Sequence, residues 1–395
     1  MTRPARVFLV AGELSGDQLG AALIRALRAD APDTAFEGVG GPAMTREGLS
    51  SLFPLAEVTA MGVVGILAGL PRIVRRGLQT VDAIVSSRPD ILVVVDSPDL
   101  THAIARRVRR RLPGLPIVNY VSPTVWAWRP GRARRMRAYI DHVLALKPFE
   151  PAAHLRLGGP PCTYVGHPLV EQVGKLRPVP GERPKLGVAD PTLLVLPGSR
   201  RSEIRRLMTP FGEAVAAVTS SSPRPVRVIV PAVAHLAAEI EARAAEWPVR
   251  PAIVVGDDAK HAAFRGATAA LAASGTVTLE LALAGVPTIV GYRVSPLEWP
   301  LRFLIDVPSI VLANLMVGEN VVPEFIQGRC TPARLATALR PLLDDSPERR
   351  RQIEAFGRLD DIMEIGAAET PSERAAAIVW RELERARQPR CDTVG

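Results

Sequence analysis

Short apolar runs alternate with longer amphipathic stretches along most of this 395-residue chain. The runs have the length and the β-branched residues of buried strands, whereas the stretches between them repeat apolar residues at helical spacing. Such alternation predicts parallel sheets covered by helices. We therefore predict an α/β fold with strands at residues 7–10, 36–39, 91–95, 117–121, 142–146 and 164–166, and again at 193–196, 226–230, 253–255, 269–272 and 288–292.

The alternation pauses at residues 177–191, which are rich in Pro, Gly and charged residues. This pause predicts a boundary between two Rossmann-like domains, residues 1–176 and 177–370, that face each other across a cleft. Residues 371–387 have a helical pattern. We expect the segment 371–395 to pack back as a helix on one domain or on a neighbouring molecule.

The composition is that of an ordinary globular protein, with 47% hydrophobic and 23% charged residues. Three widely spaced cysteines, Cys162, Cys330 and Cys391, form neither a disulfide framework nor a metal knuckle. We see no signal peptide and no apolar run of the roughly 18 residues that a membrane span needs. These observations predict a cytoplasmic protein whose membrane contact, if any, is peripheral.

The net charge of +9 comes with basic clusters at residues 72–76, 106–111 and 129–137. Such clusters suit a phosphorylated substrate, an anionic membrane surface or a nucleic acid. We do not expect a nucleic-acid partner, because no helix-turn-helix, zinc-finger, RRM or KH signature is present and aromatic residues make up 5% of the chain. The sequence leaves open whether the chain forms a homo-oligomer.

Residues 196–203, LPGSRRSE, join a predicted strand to a predicted helix. Such a turn aims free backbone N–H groups and the positive end of the helix dipole at one point, which suits a phosphate. A second element of this kind, AASGTVTLE at residues 272–280, follows later in the chain. Two anion-binding turns predict a nucleotide-diphosphate site, and we expect it to use Gly198, Ser199, Arg200, Ser274, Gly275 and Thr276.

Ten motifs in order give the chain a family resemblance. They are AGELSGDQLG (11–20), GVGGPAM (38–44), AMGVVG (60–65), VVDSPDL (94–100), YVSPTVWAWRPGR (120–132), VGHPLVE (165–171), LPGSRRSE, ASGTVTLE, GYRVSPL (291–297) and ANLMVGENVVPEFIQ (313–327). Together they resemble lipid-A-disaccharide synthases, a family of GT-B-fold glycosyltransferases. The resemblance implies transfer of diacylglucosamine from UDP-diacylglucosamine to the 6-hydroxyl of diacylglucosamine 1-phosphate, with inversion and release of UDP.

An inverting transfer needs a carboxylate that takes the proton of the attacking hydroxyl. Asp96 ends the predicted strand 91–95, and the resemblance points to the same residue as the general base. The alternative is that Asp96 or Asp99 caps the helix that begins near Pro98; we favour the base for Asp96 and the cap for Asp99.

Departure of UDP needs fixed positive groups, and we expect Arg200 to supply one. Glu280 is expected to accept hydrogen bonds from the ribose hydroxyls, with an acidic residue that complements a helix dipole as the alternative for Glu280 and for Glu203. The resemblance favours Asn314 as functional, with a structural turn residue as the alternative. Further donor-site residues are expected at Tyr292, Arg293, Glu319 and Asn320. No metal or cofactor is expected, because the sequence has no Asp-x-Asp pair and no His cluster.

Residues 61–70 are apolar and rich in glycine, and a basic segment follows them. This composition suits a segment that rests at a membrane interface, with a buried loop and helix as the alternative. We expect contact with acyl chains or with the cytoplasmic face of the inner membrane, and the residues concerned are Met61, Val64, Ile66, Leu67, Leu70, Arg72, Arg75 and Arg76.

The sequence departs from the family pattern at Gly65, at Leu100-Thr101 and at Ala313. The first two departures lie on the expected acceptor side, so they bear on the acceptor more than on UDP. Two other functions stay open: an enzyme similar to UDP-N-acetylglucosamine epimerases, and a UDP-sugar transferase with a different acceptor.

Overall fold

The computed structural model describes residues 4–59, 62–295 and 307–388, with the backbone alone at residues 62–68. The chain divides into two compact units, Met1–Val170 with Ala367–Gly395, and Glu171–Gly366. Each unit contains one parallel sheet with helices between its strands, which confirms the predicted α/β class. No helix among the described residues has the length and hydropathy needed to cross a membrane.

The first unit contains a seven-stranded sheet in the order β3-β2-β1-β4-β5-β6-β7. Its strands are Arg6–Ala11 (β1), Ala35–Val39 (β2), Ser50–Ser51 (β3), Ile91–Val95 (β4), Ile117–Tyr120 (β5), His142–Ala145 (β6) and Cys162–Tyr164 (β7). The helices between them are Leu14–Asp30 (α1), Pro42–Arg46 (α2), Gly62–Ser87 (α3), Pro98–Arg111 (α4), Gly131–Met136 (α5) and Glu150–Arg156 (α6).

The second unit contains a six-stranded sheet in the order β10-β9-β8-β11-β12-β13. Its strands are Thr192–Leu196 (β8), Arg227–Ala232 (β9), Ala252–Val255 (β10), Ala269–Ala272 (β11), Thr288–Tyr292 (β12) and Glu324–Ile326 (β13). Its helices are Val173–Leu176 (α7), Arg201–Ser221 (α8), Ala237–Ala244 (α9), Asp257–Gly266 (α10), Val277–Leu283 (α11), Leu312–Val317 (α12), Pro332–Leu339 (α13), Pro347–Gly357 (α14) and Leu359–Ile362 (α15). Across the two units, short 3₁₀ helices lie at Leu55–Glu57, Pro168–Gln172, Ala234–Leu236, Gln327–Arg329 and Arg340–Leu343.

The central strands are continuous apolar runs because helices cover both faces of each sheet. All five residues of β4 are buried, as are the last four of β8. In both sheets the strand order reverses beside the first strand, between β1 and β4 and between β8 and β11. Ligands bind at such switch points in open α/β sheets, beyond the carboxyl ends of the strands. The two switch points therefore mark where a site is expected in each unit.

The last helix, Pro371–Arg387 (α16), packs on α1 in the first unit. Its apolar face belongs to the same core as the buried residues of β1 and β4. Thr370 begins the helix with a reciprocal cap, since its hydroxyl accepts from the amide of Glu373 and its amide donates to the Glu373 carboxylate. His142 Nδ1 lies 3.0 Å from the Glu382 carboxylate, which ties α16 to β6.

Candidate functional site

The second switch point opens into a cavity of about 590 Å³. Strands β8 and β11 are paired neighbours, so the turns that follow them leave the sheet side by side. Both turns line this cavity, which brings together seven of the residues predicted from the sequence: Gly198, Ser199, Arg200, Ser274, Gly275, Thr276 and Glu280.

The first turn differs from its prediction at two of its amides, those of Ser199 and Arg200. The Glu203 carboxylate accepts from the backbone N–H of Ser199 at 3.0 Å and of Arg200 at 3.2 Å. Glu203 is buried in the first turn of α8, where an acidic residue also complements the helix dipole. The amides of Ser199 and Arg200 therefore stabilise the turn, while the side chains of Ser199 and Arg200 line the cavity.

The same carboxylate explains why residue 198 is glycine. Gly198 has φ +111°, which L side chains rarely adopt. A Cβ atom at this position would lie 2.2 Å from Glu203 Oε2. The turn can close over Glu203 only with glycine at its centre.

The second turn keeps its amides available. Among the described residues, none accepts a hydrogen bond from the backbone N–H groups of Gly275, Thr276 or Val277. Gly275 and Thr276 are exposed, and the Ser274 hydroxyl donates to the carbonyl of Ile310 at 2.7 Å. These amides face a cavity that is wide enough for an anion to reach them.

Two cationic side chains line the cavity with these turns. The Arg200 side chain is 74% exposed and lies 3.5 Å from the Glu203 carboxylate. Lys260, in α10, pairs with Glu280 at 2.9 Å. The sequence prediction missed Lys260, although its position in the first turns of a helix that follows a strand was a usable signal. The cavity thus combines free amides with two cationic side chains, each paired with a carboxylate of the same cavity.

Tyr292 and Arg293 lie at the end of β12 and do not line this cavity. The Tyr292 hydroxyl donates to the Glu203 carboxylate at 3.3 Å. Tyr292 therefore helps to hold the carboxylate that accepts from the amides of the first turn. The Arg293 guanidinium donates to the carbonyl of Cys330 and lines a different cavity of about 650 Å³.

Asn314 makes the contacts expected of the structural alternative, and its catalytic role stays a prediction. Its side chain is buried, and its carboxamide oxygen accepts from the amides of Val321 at 3.1 Å and Val322 at 2.8 Å. Its carboxamide nitrogen donates to the carbonyl of Val322 at 2.9 Å and to Glu324 at 3.1 Å. Because both polar atoms are used, Asn314 holds the loop before β13.

Glu319 and Asn320 lie in that loop and also do not line the 590 Å³ cavity. Glu319 pairs with Arg358 at 2.8 Å, and the hydrogen bond from Arg358 lowers the pKa of this carboxyl. Asn320 donates to the carbonyl of Pro308 at 3.3 Å. The structure thus gives both residues partners within their own unit.

Asp96 occupies the first switch point, directly after β4. It has φ +55° and the next residue, Ser97, has φ +42°. Two successive non-glycine residues in this region are costly, and such strain clusters at functional sites. One carboxylate oxygen accepts from the Ser97 amide at 2.7 Å and the other from the Ser15 hydroxyl at 3.3 Å. The turn presents a half-buried carboxylate held by neutral donors.

The predicted cap at Asp99 is wrong. Ser97 occupies the position before α4, and no side chain caps this helix. The Asp99 carboxylate instead pairs with Arg132 at 2.8 Å. Asp96 does not cap α4 either, since its carboxylate accepts from Ser97 and Ser15.

An apolar cavity of about 400 Å³ lies beside Asp96 in the first unit. It begins at Gly12, which follows β1, and at Ser97, which follows Asp96. Its apolar walls come from α3 and α4 and include Leu70, Ile73, Val74, Leu78, Leu100 and Ile104. An apolar cavity therefore lies close to the carboxylate.

Helix α3 also presents apolar side chains to solvent. Leu70, Val74 and Leu78 are 47%, 48% and 45% exposed, and their spacing of four residues places them on one face. Arg72 and Arg75 are exposed, whereas Arg76 pairs with Glu57 at 2.6 Å. Met61 and the side chains of Val64, Ile66 and Leu67 lie outside the described residues.

The described residues contain no group of three or more His, Cys, Asp or Glu side chains placed to hold a metal ion.

Comparison with known proteins assigns the chain to a family. The family model described as lipid-A-disaccharide synthetase matches residues 7–377. A lipid-A-disaccharide synthase of Nitrobacter winogradskyi is 56% identical over 384 residues, which cover 97% of this chain and 96% of the relative. One of Rhodopseudomonas palustris strain HaA2 is 56% identical over 382 residues, covering 96% and 97%.

Solved structures with the same fold are more distant in sequence. S. aureus MnaA, solved with UDP, matches with a TM-score of 0.64 at 14% identity, covering 96% of this chain and 97% of that one. Acinetobacter baumannii MurG matches with a TM-score of 0.60 at 13% identity, covering 96% and 100%. At such identities the likeness concerns the fold, and it confirms the predicted GT-B class. With the family match, it follows that this chain belongs to the lipid-A-disaccharide synthases, which are UDP-sugar glycosyltransferases.

Proposed function

We propose that this enzyme transfers diacylglucosamine from UDP-2,3-diacylglucosamine to the 6-hydroxyl of 2,3-diacylglucosamine 1-phosphate. The acceptor oxygen forms a bond to the anomeric carbon while the bond from that carbon to the UDP oxygen breaks. UDP leaves with the electron pair, and the configuration at the anomeric carbon inverts. The products are a disaccharide monophosphate and UDP.

The observation that carries this proposal is the cavity shared by the two turns of the second unit. Free amides at Gly275 and Thr276, with the side chains of Arg200 and Lys260, would bind the diphosphate. Charge grows on the diphosphate as UDP leaves, so donors fixed at this place stabilise the transition state more than the ground state. Glu280, oriented by Lys260, would accept from the ribose hydroxyls.

In this proposal Asp96 is the general base. Its carboxylate would take the proton of the acceptor hydroxyl as the new bond forms. The strained backbone at Asp96 and Ser97 and the hydrogen bonds from Ser97 and Ser15 hold the carboxylate in one orientation. The first unit thus supplies the base, and the second unit supplies the binding site for the leaving group.

We assign the apolar cavity beside Asp96 to an acyl chain of the acceptor. The exposed apolar face of α3, formed by Leu70, Val74 and Leu78, would contact the membrane from which that lipid is drawn. The exposed guanidinium groups of Arg72 and Arg75 would rest on anionic headgroups. This arrangement predicts peripheral binding to the cytoplasmic face of the inner membrane.

An epimerase-like activity is the rival, since UDP-N-acetylglucosamine 2-epimerases share the fold. Such a reaction uses no acylated acceptor, so it gives no role to an apolar cavity beside Asp96. Mass spectrometry of the products tests the choice. The protein is mixed with UDP-diacylglucosamine and diacylglucosamine 1-phosphate. A disaccharide monophosphate is the expected product, and release of UDP without it, or an epimerised donor, would contradict the proposal.

A further inference from the structure

A second cavity of the first unit, of about 480 Å³, is lined mainly by arginine. Helix α4 supplies three of these arginines. The other three come from α5 and from the residues just before it. We call this cavity the arginine pocket, and its six arginines are Arg106, Arg109, Arg110, Arg129, Arg132 and Arg135. Asp99 is the acidic residue that lines it with them.

Some of these arginines have structural partners. Arg109 pairs with Asp141 and donates to two backbone carbonyls. Arg132 pairs with Asp99 at 2.8 Å, and its side chain is 16% exposed. These two guanidinium groups are fixed by the fold and do not need a ligand.

The other arginines leave a positive charge that the fold does not balance. Within the part of the chain that the structure describes, Arg110 and Arg129 form no ion pair, and Arg129 stacks on Trp128. Arg106 donates to the carbonyl of His102, and Arg135 to that of Gly131. Like charges gathered in one concavity repel one another unless an anion binds between them.

The pocket adjoins the proposed acceptor site. Pro98 and Asp99 line both the arginine pocket and the apolar cavity, and they follow Asp96 and Ser97 in the chain. A lipid with its acyl chain in the apolar cavity could therefore place an anionic group in the arginine pocket while a hydroxyl lies at Asp96.

We propose that the arginine pocket binds the phosphate monoester of the acceptor lipid. This inference rests on the proposed function, since the acceptor there carries a 1-phosphate. A dianionic phosphate accepts several charge-assisted hydrogen bonds, and guanidinium groups are well matched to it. The pocket thereby selects a phosphorylated acceptor over one that lacks the phosphate.

The test uses Arg110→Ala, Arg129→Ala and the double variant. Both side chains are exposed and without ion pairs to described residues, so their removal should leave the fold intact. The matched controls are Arg134→Ala and Arg137→Ala, which remove exposed arginines of the same region that do not line the pocket. KM is measured at saturating donor for diacylglucosamine 1-phosphate and for diacylglucosamine without the phosphate.

In the double variant we expect KM for the phosphorylated acceptor to rise about tenfold or more, since hydrogen bonds to charged groups are lost. KM for the donor, and for the acceptor without phosphate, should stay unchanged, and the controls should behave as wild type. An equal rise in KM for both acceptors, or an equal rise in KM in the control variants, would overturn the assignment.

A further experiment distinguishes binding of the acceptor's phosphate from binding of the phosphate of a membrane lipid. If the double variant loses binding to phosphatidylglycerol vesicles but keeps its preference for the phosphorylated acceptor, the pocket is a headgroup site and the proposal is wrong. If wild type makes no disaccharide at all, the proposed function fails separately, and the pocket is then tested by calorimetry with glucosamine 1-phosphate. Binding that the double variant lacks would support the pocket, and no binding to wild type would refute it.

Discussion

The hydroxyl of Ser15, at the start of α1, lies 3.3 Å from Oδ2 of Asp96, which is the residue directly after β4. The other carboxylate oxygen accepts from the Ser97 amide at 2.7 Å. Each oxygen thus has one neutral donor. This arrangement orients the carboxylate while leaving it able to accept a proton.

Replacing Asp96 with Asn should abolish most turnover. Asparagine tolerates the left-handed backbone of this position, so the fold should be kept. The rate should fall by about 10²–10⁴-fold, the usual contribution of a general base, while the affinity for UDP is unchanged. Initial rates and UDP calorimetry measure the two quantities. Asp82→Asn, on an exposed face of α3, is the control, and near-normal turnover by Asp96→Asn would remove the base assignment.

Arg200→Ala should weaken binding of UDP, because the Arg200 side chain is one of two cations in the cavity of the second unit. Loss of a hydrogen bond to a charged group costs about 1.5–3 kcal/mol, so Kd for UDP should rise roughly tenfold or more. Arg201→Ala is the matched control, since Arg201 pairs with Glu239 and does not line the cavity. Equal Kd values for the two variants, measured by calorimetry, would contradict the assignment.

Gly198→Ala should destabilise the protein. The new Cβ atom would lie 2.2 Å from Glu203 Oε2, at a backbone φ of +111°. Such strain costs about 1–3 kcal/mol, and urea denaturation measures the loss in the free energy of unfolding. Gly266→Ala is the control, because no atom lies within 4 Å of its added Cβ. A Gly198→Ala variant as stable as this control would show that Glu203 does not constrain the turn.

His102 should make stability depend on pH. The pKa of His102 is lowered to about 4, chiefly by burial; the hydrogen bond with Asn119 opposes this shift, the positive charges of Arg132 and Arg106 add to it, and the charge of Asp99 opposes it. Its Nε2 lies 3.0 Å from Asn119 Oδ1 and its Nδ1 lies 3.3 Å from the Tyr139 hydroxyl, so the neutral ring is satisfied at both nitrogens.

Above pH 6.5 the His102 ring is neutral in both the folded and the unfolded state. As the pH falls from 6.5 towards 4, the unfolded state binds a proton that the folded state does not, so the free energy of unfolding decreases. The loss is on the order of 1–3 kcal/mol. Urea denaturation of His102→Gln should show a shallower pH dependence across this window than wild type, and an unchanged slope would refute the assignment.

The exposed apolar face of α3 should bind membranes. Replacing Leu70, Val74 and Leu78 with Ser should reduce co-sedimentation with anionic vesicles severalfold, because buried apolar area drives interfacial binding. The free energy of unfolding should change little, since these side chains are already exposed. Val188→Ser, at a side chain 81% exposed elsewhere, is the control. Undiminished sedimentation by the triple variant would contradict a membrane role for α3.

Much of the fold was predictable because buried parallel strands have continuous apolar sequences. The structure has strands at β4 and β11 with the predicted bounds. The sequence prediction missed β3, which has two residues, and β13, whose three residues are all half-buried. Short edge strands bury too little surface to leave a pattern.

The candidate site was predictable where its geometry is local. A strand followed by a glycine turn and a helix led us to expect an anion at both turns, and the structure places both turns on one cavity. The hydrogen-bond partners of Asn314 were not predictable, because a loop brings Val322 and Glu324 back to it. The pairing of Lys260 with Glu280 was not predictable for the same kind of reason, since the two residues are 20 positions apart and lie in different helices, although the place of Lys260 near the start of a helix was a usable signal.

A crystal structure of the protein with UDP tests the central claim most directly. We predict that the diphosphate lies in the 590 Å³ cavity, bound by the amides of Gly275 and Thr276 and by the Arg200 side chain. Diphosphate bound elsewhere, with this cavity empty at saturating UDP, would contradict the account.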